Sequence, residues 1–230
     1  MKFSSGTFLA ASGSHPSNEF CEETALLTDR FQMRYRQRMG RPREFQEQIV
    51  VSDALQIFWR QGYRATSIPD LLSATGLERG SLYKAFKDKQ SLFERVFNAY
   101  LQSGRAALKQ TLNAPGTPLE RLTVWFDQAS RGCSGAFGGP GCLAVNAMVE
   151  LAPFERPVRI RLARHWAIVE AALARTLCEG QGQQEIRSDV SAEDLAQMIV
   201  RTFAGMATFS RQGNRTDVFK TVLQLVRSKP

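Results

Sequence analysis

Apolar residues between positions 66 and 93 are spaced for two short helices that cross over a small core. Ser67 and Asp70 have the S-x-x-D spacing of a capping box, which starts the first helix, and Gly76 ends it because glycine enters the left-handed conformation without strain. The second helix is predicted over residues 79–86. A helix, a glycine turn and a short helix with a polar outer face are typical of a helix-turn-helix, whose second helix enters the major groove of DNA.

Two further helices are predicted to support this pair. The helix at about residues 45–61 has an apolar stripe that includes Ala54 and Phe58. A longer helix is predicted at about residues 87–110. The first of these helices and the helix pair predict a three-helix DNA-binding domain over residues 44–97, into which the start of the longer helix falls.

Basic residues are concentrated in the same part of the chain. The formal net charge is +8, and residues 34–105 carry thirteen basic and seven acidic side chains. Within them, residues 34–43 contain five arginines directly before the first helix. We interpret this stretch as a basic arm that follows the DNA phosphates or enters the minor groove, with Arg41 and Arg43 nearest to the folded domain. A solvated basic tail is the alternative.

Residues 1–33 contain Ser, Gly, Pro and Asn at short intervals and show no apolar residues at helical spacing, so we expect a disordered extension. A start of translation at Met33 or Met39 is an alternative. The short apolar run near the beginning is preceded only by Lys2, which is weak support for a signal peptide. No apolar run approaches the length of a membrane span, so we expect a cytoplasmic protein with no membrane partner.

Ten residues in and around the predicted helix pair match the pattern of a known family. They are Phe58, Gly62, Thr66, Gly76, Gly80, Leu82, Tyr83, Phe86, Lys89 and Leu92. Over about residues 41–97 the chain resembles the DNA-binding domain of the tetracycline-repressor (TetR) family of bacterial regulators. One departure is Glu78, where the family more often has Ser or Thr; we expect the Glu78 carboxylate to cap the second helix instead.

The outer face of the second helix and the family resemblance together predict the DNA contacts. Polar side chains on that face reach phosphates and base edges, and the resemblance implies that Lys89 contacts a phosphate. The predicted DNA-binding residues are Arg41, Arg43, Thr66, Ser67, Arg79, Gly80, Ser81, Tyr83, Lys84 and Lys89. The expected partner is a palindromic, double-stranded operator.

Residues 98–230 show helical periods and no strand-like alternation, so the predicted fold is all-α, with a C-terminal helical domain after the helix-turn-helix domain. The resemblance implies that this second domain binds an effector and dimerises. Its predicted helices begin at about residues 119, 142, 157, 191 and 216. The glycine-rich segment at residues 131–141 is predicted to be a loop.

The predicted helix at residues 191–212 carries more apolar surface than one buried face requires, interspersed with small side chains. A palindromic operator is bound by two symmetrical helix-turn-helix units, which we call reading heads, and these require two subunits. We therefore interpret this surface as part of a homodimer interface. The predicted interface residues are Phe203, Gly205, Met206, Phe209, Phe219 and Val222. Ordinary core packing is the alternative.

Aromatic and polar residues of the C-terminal domain are predicted to line an effector pocket. The predicted lining is Trp125, Phe126, Phe137, Met148, Phe154, Trp166 and Phe203, with Cys142, Asn146, Glu150 and His165 as polar groups. The alternative for each residue alone is ordinary core or surface packing.

Two cysteines raise the alternative of an electrophile or redox effector. Cys142 is expected at a helix N-terminus, where the helix dipole lowers a thiol pKa, and Cys133 is placed to resolve an oxidised form as a disulfide. The GCL segment that contains Cys142 resembles a TetR subgroup that includes thiol-reactive sensors. The alternative is that both thiols only pack and that an apolar effector fills the pocket.

No cluster of residues has the spacing of a metal site, a phosphate-binding glycine loop or a catalytic triad, so we expect no metal, no cofactor and no enzymatic activity. The sequence therefore predicts a dimeric transcriptional repressor that a small effector releases from its operator. Two alternatives stay open: a ligand-independent architectural DNA-binding protein, and a DNA-modifying enzyme with a helix-turn-helix.

Overall fold

The computed structural model describes residues 43–133, 140–212 and 218–227. The helices in these ranges are α1 (Arg43–Gln61), α2 (Ile68–Thr75), α3 (Arg79–Phe86), α4 (Lys89–Leu112), α5 (Pro118–Cys133), α6 (Leu143–Glu150), α7 (Arg156–Gly182), α8 (Ala192–Ser210) and α9 (Val218–Val226). The only strand-like pairing in the described ranges is an isolated bridge between Ile186 and Arg227. The all-α prediction is confirmed.

The end of α5 differs from the prediction. Residues 131–133 continue this helix, although the glycine-rich segment from Arg131 onward was expected to form a loop. Gly132 costs a helix only about 1 kcal/mol, and Cys133 in the same turn is buried, so packing offsets the cost. Residues 140–142 are non-helical as predicted, and residues 134–139 of the predicted loop lie outside the described ranges.

Residues 47–230 form a compact unit, which contains every described element except the first turn of α1. Within this unit α4 runs without interruption through residue 97, where the domain boundary is predicted. That boundary stays a prediction.

Stacked aromatic rings form the core of the first four helices. The ring of Phe93 meets that of Phe58 edge-on with centroids 5.1 Å apart, and it stacks on Phe97 at 5.4 Å. Leu71 of α2 and Leu82 of α3 are fully buried in the same cluster. Burial of an apolar side chain of this size stabilises the fold by about 1.5–3 kcal/mol. These contacts therefore fix the orientation of α2 and α3.

A second core joins α5, α7, α8, α9 and the end of α4. Phe126 stacks on Phe219 with ring centroids 4.5 Å apart, and the two side chains are 1% and 2% exposed. Val222 lies on the same buried face of α9 and is 4% exposed. Three predictions are therefore wrong in this structure. Phe126 belongs to the core and does not line the pocket, and Phe219 and Val222 pack inside their own subunit, where a partner cannot reach them.

Trp166, Phe203 and Met206 pack against both cores, and so mark the boundary between them.

None of the helices in the described part of the chain combines the length and the hydropathy needed to cross a membrane.

Candidate functional site

The start and end of α2 are fixed by residues close to it in sequence. The Ser67 side chain accepts a hydrogen bond from the Asp70 amide at 3.2 Å, and the Asp70 carboxylate accepts one from the Ser67 amide at 2.8 Å. Gly76 ends the helix at φ 67°, in the left-handed conformation. The predicted capping box and glycine cap are confirmed.

The short helix α3 has one buried face and one exposed face. Leu82 and Phe86 point into the core and are 0% and 5% exposed. The opposite side consists of exposed polar and small residues, all of them predicted to contact DNA: Arg79, Gly80, Ser81, Tyr83 and Lys84. Among the described residues, neither basic side chain of this set forms an ion pair. We call residues 79–84 on this side the reading face.

Glu78 occupies the N-cap position of α3 but does not cap it. Its side chain accepts no hydrogen bond from the first turn of the helix. The prediction of a carboxylate cap is therefore wrong, and the first amides of α3 are left to other partners.

Thr66 was predicted to contact DNA, and the structure contradicts this. Its side chain is 1% exposed, and its hydroxyl donates a hydrogen bond to the Gly62 carbonyl at 2.6 Å. A hydroxyl enclosed in this way cannot reach a phosphate. Ser67 next to it is exposed, although its hydroxyl is engaged in the cap.

Lys89 has a structural role that the sequence did not indicate. Its ammonium donates hydrogen bonds to the carbonyls of Tyr63 and Thr66 at 2.9 and 2.7 Å, and it lies 4.4 Å from the centre of the Tyr63 ring. An ammonium has three donors, so one remains for a phosphate and the DNA contact stays a prediction. Lys89 ties the start of α4 to the turn before α2.

Three of the predicted site residues lie beyond what the structure describes. Arg41 and Phe137 fall outside the described ranges, and Arg43 is described only as the first residue of α1, without its side chain. Their predicted roles in DNA binding and in the pocket stay predictions.

A cavity of about 250 Å³ lies where α1, α4, α5, α7 and α8 approach one another. The structure brings five of the predicted pocket residues to its wall: Trp125, Cys142, His165, Trp166 and Phe203. The same wall contains Cys133 and several residues that were not predicted, namely Trp59, Tyr100, Gly104, Ala107, Leu108, Gln128, Ala129, Gly132, Val169 and Val200.

Besides Phe126, four predicted pocket residues lie elsewhere. The Asn146 side-chain amide donates to the Pro140 carbonyl at 2.9 Å, and Met148 points outward with 37% exposure. Phe154 is 71% exposed and lies under the Arg64 guanidinium, 4.5 Å from the ring centre. Glu150 bonds to the turn before α2. Asn146, Met148 and Glu150 lie on faces of α6 that do not point into the cavity, and Phe154 lies in the turn after α6.

Among the residues of the cavity wall, none carries a formal charge at neutral pH. Burial, together with the nearby Arg105 guanidinium, lowers the pKa of His165 to about 4, so its imidazole is neutral. Within the described structure, His165 Nδ1 and Trp166 Nε1 are buried without a hydrogen-bond partner. The cavity is therefore apolar with a few neutral polar groups.

The two thiols of the cavity wall are not activated. Burial raises the pKa of Cys142, even though the Tyr100 hydroxyl donates to its sulfur at 3.3 Å and backbone amides of the first α6 turn oppose the shift. Burial and the neighbouring Cys142 raise the pKa of Cys133 to about 12. Cys142 does stand at the N-cap of α6 as expected, but the predicted lowering of its pKa is wrong because desolvation outweighs the helix dipole.

Two sets of hydrogen bonds join the cavity region to the helix-turn-helix. The indole nitrogen of Trp59, a wall residue on α1, donates to the Gly141 carbonyl at 2.9 Å. At the other end of α6, the Glu150 carboxylate accepts from the amides of Tyr63 and Arg64 at 3.0 and 2.6 Å. No local pattern in the sequence indicates the second contact, because its partners are more than 80 residues apart.

Known protein families match both parts of the chain. Residues 50–96 match the family described as bacterial regulatory proteins, tetR family, and residues 118–226 match the tetracyclin repressor-like C-terminal domain. The HTH-type transcriptional regulator YezE of Bacillus subtilis is 30% identical over 67% of this chain and 81% of its own length. This chain belongs to the TetR family.

Further relatives are consistent with this assignment. The HTH-type transcriptional repressor ComR of Escherichia coli is 29% identical to this TetR-family chain over 76% of it and 83% of the relative. A solved structure of the TetR family regulator CifR, a cysteine mutant in complex with 26-bp double-stranded operator DNA, has a TM-score of 0.69. It is 21% identical and covers 81% of this chain and 100% of its own chain. The last similarity supports the fold alone.

Proposed function

We propose that this TetR-family protein is a homodimeric repressor that reads a palindromic operator with α3 and leaves it when an uncharged effector fills the cavity. The observation that carries the proposal is the Glu150 contact, since it joins the helix that starts at the cavity wall to the turn that precedes α2. A regulator of this kind requires a DNA-reading surface, a ligand site and a connection between them.

The reading face supplies the DNA contacts. Arg79 and Lys84 are exposed cations without an internal partner in the described structure, and Tyr83 is 42% exposed on the same side. Such side chains bind phosphates and base edges, and a good base contact contributes about 1–3 kcal/mol of discrimination. One short helix gives too little affinity alone, which is why two heads on one dimer are needed.

Dimerisation fits the outer faces of α7 and α8. These helices pack along each other, and Arg201 of α8 bonds to Glu170 of α7 at 3.2 Å. Away from the core, α7 exposes Ile160 and the small residues Ala163, Ala167 and Ala171, and α8 exposes Met198, Gly205, Thr208 and Phe209. Small and apolar residues on two adjacent helices allow a close approach to the same two helices of a second subunit. Of the predicted interface, Gly205 and Phe209 fit this face, whereas Phe203 lines the cavity and Met206 is half-buried.

The effector is small and uncharged. The cavity is somewhat below the roughly 300–1,000 Å³ typical of sites for drug-sized molecules, which favours a molecule of one or two rings. The described residues of its wall include no counter-ion, so a charged ligand would lose its hydration without compensation. Flat aromatic molecules fit between the rings of Trp125, Trp166 and Phe203.

Release follows from the connection between cavity and reading face. An effector that displaces Trp59 or Cys142 moves the start of α6, because Trp59 is bonded to Gly141 beside that start. The other end of α6 holds the Tyr63 and Arg64 amides through Glu150. Movement of this turn shifts α2 and α3, and hence the distance between the two reading heads of a dimer.

The experiment is a selection of bound fragments from genomic DNA, followed by affinity measurements on the recovered site with the matched pair indole and indole-3-acetate. We expect a palindromic site and a weakening of binding by the uncharged probe alone. Recovery of no common sequence would contradict operator reading and favour an architectural DNA-binding protein. Equal release by the charged probe would contradict the assignment of the cavity.

A further inference from the structure

A second cavity of about 340 Å³ lies on the other side of α4, between this helix, Arg121 of α5 and the middle of α7. Leu108 lines both cavities and separates them. Four basic side chains contribute to the second wall, namely Arg105, Lys109, Arg121 and Arg175. Among the described residues of this wall, the only carboxylate is that of Glu179. The first cavity is uncharged, whereas this one is strongly positive.

Three of these cations have no carboxylate partner. In the described ranges, Arg105, Lys109 and Arg175 take part in no salt bridge. Arg105 and Lys109 are four residues apart on α4, a spacing at which like charges repel. Arg105 is also half-buried, so part of its hydration is lost. The fold thus tolerates an unfavourable concentration of positive charge at one place.

The fourth cation and the carboxylate are already engaged with each other. Arg121 donates to Glu179 at 2.6 Å and to the Leu112 carbonyl at 2.9 Å, and its Nε is buried without a partner in the described structure. Glu179 lies four residues after Arg175 and would pair with it on an isolated helix, but in this structure it bonds to Arg121. Arg121 is therefore a fixed part of the wall, and Arg105, Lys109 and Arg175 are the cations without a carboxylate partner in the described structure.

We propose that this second cavity, a groove between α4 and α7, binds a small anionic molecule that carries carboxylate or phosphate groups. Guanidinium groups present planar, paired donors that match both kinds of oxyanion, and here they approach from α4 and α7 on either side of one cavity. A bound anion relieves the repulsion between Arg105 and Lys109 and joins α4 to α7. The ligand differs in charge from the effector of the first cavity, so the protein has two sites for two classes of molecule.

The test is calorimetric titration of the full-length protein, without DNA or effector, at about 0.15 M salt, where unspecific surface attraction is largely screened. Pyrophosphate and glutarate serve as the two probes. We expect saturable binding of at least one probe with one site per chain. Binding of pyrophosphate alone identifies a phosphate-bearing ligand and binding of glutarate alone a carboxylate-bearing one, and either result supports the site.

Substitutions of its arginines test whether the probes bind in the second cavity. Arg105→Gln and Arg175→Gln should each weaken binding about tenfold or more, and Arg164→Gln should leave it unchanged, because Arg164 is an exposed arginine of α7 outside the groove. Thermal unfolding of each variant checks that the fold is intact. Absence of saturable binding for both probes overturns the proposal, and so does an equal loss in Arg164→Gln. Neither result bears on operator reading, because no DNA is present.

Discussion

The reading face and the effector cavity place their functional side chains in opposite environments. On the reading face, charged and polar residues are exposed, and the apolar residues that hold α3 in place are on its other side. In the cavity the functional residues are themselves part of the packing between two cores. A substitution on the reading face therefore changes binding alone, whereas one in the cavity wall changes folding and binding together. Experiments on the cavity require controls for stability.

The largest effect is expected when the two reading heads are separated. Gly205→Leu should produce monomers and lower operator affinity by about 100-fold or more, since the avidity of two linked heads is lost. A Cβ at Gly205 has no neighbour within 4 Å in the subunit, so the fold itself should accept the substitution. Analytical ultracentrifugation and operator titration measure the two effects.

Gly182→Leu is the matched control, because Gly182 is also an exposed helical glycine with open space around it. A Gly205→Leu protein that stays dimeric would place the interface elsewhere.

The reading face itself should give the next largest effect. Lys84→Ala should weaken operator binding about tenfold without changing the free energy of unfolding, because the side chain is exposed and touches no part of the core. Fluorescence anisotropy with labelled operator measures the affinity. Arg131→Ala removes an exposed positive charge from α5, outside α3 and the proposed dimer face, and controls for overall electrostatics. Equal losses in the two variants would mean that α3 makes no specific contact.

The connection between the two regions is expected to have a moderate effect. Glu150→Gln replaces two charge-assisted hydrogen bonds by weaker ones, so an effector should shift operator affinity about 5-fold less than in the native protein. Operator titrations with and without the uncharged probe give this ratio. Glu155→Gln on the adjacent turn, whose side chain makes no cap hydrogen bond, is the control. If Glu150→Gln responds to the effector like the native protein, coupling does not pass through α6.

A smaller effect is expected on the pH dependence of stability, and it comes from His165 in the cavity wall and not from the reading face. Burial first, and Arg105 second, lower the pKa of His165 to about 4, whereas an unfolded histidine titrates near about 6.5. The unfolded chain therefore takes up a proton as pH falls below about 6.5, and the stability from neutral His165 is lost progressively down to about pH 4. Thermal unfolding across this window should show a loss of roughly 1–2 kcal/mol that His165→Gln removes. The other histidine of the chain supplies the control, His15→Gln. A native protein and a His165→Gln variant with parallel pH profiles would show that His165 is not buried as a neutral group.

The smallest effect is expected for the thiols. Because burial raises the pKa of Cys142 and Cys133, mild peroxide should change operator binding of the native protein less than twofold, and Cys142→Ser should behave in the same way. Loss of binding in the native protein alone would restore the thiol-switch hypothesis.

The sequence predicted the reading head well because its signals are local. Ser67, Asp70 and Gly76 determine the bounds of α2 within ten residues of one another, and the apolar spacing separates the buried Leu82 from the exposed Tyr83. The local pattern did not indicate which way the side chains of Thr66 and Lys89 point. Thr66 and Lys89 match the family pattern, but in this structure both are engaged by the turn before α2.

The cavity was predicted only in part because it forms between helices that are distant in the chain. Trp59 and Tyr100 belong to helices that were interpreted as scaffold, and only tertiary packing brings them to the same wall as Trp166. Phe219 and Val222 of α9 were predicted to contact a partner, but periodicity could not show that they face their own core. An apolar stripe indicates that a surface is covered and does not indicate by what.

The length of α4 gives small movements at the cavity a large mechanical consequence. The helix has 24 residues. Leu108 lines the first cavity, and the Lys89 ammonium donates a hydrogen bond to the turn before α2. At about 1.5 Å per residue the two positions are roughly 28 Å apart. A tilt of about 5° at Leu108 thus sweeps the Lys89 end sideways by roughly 2.5 Å, a displacement comparable with the length of a hydrogen bond. By this geometry, a cavity ligand that tilts α4 by a few degrees would displace the turn before α2, and α3 with it, by about the length of a hydrogen bond.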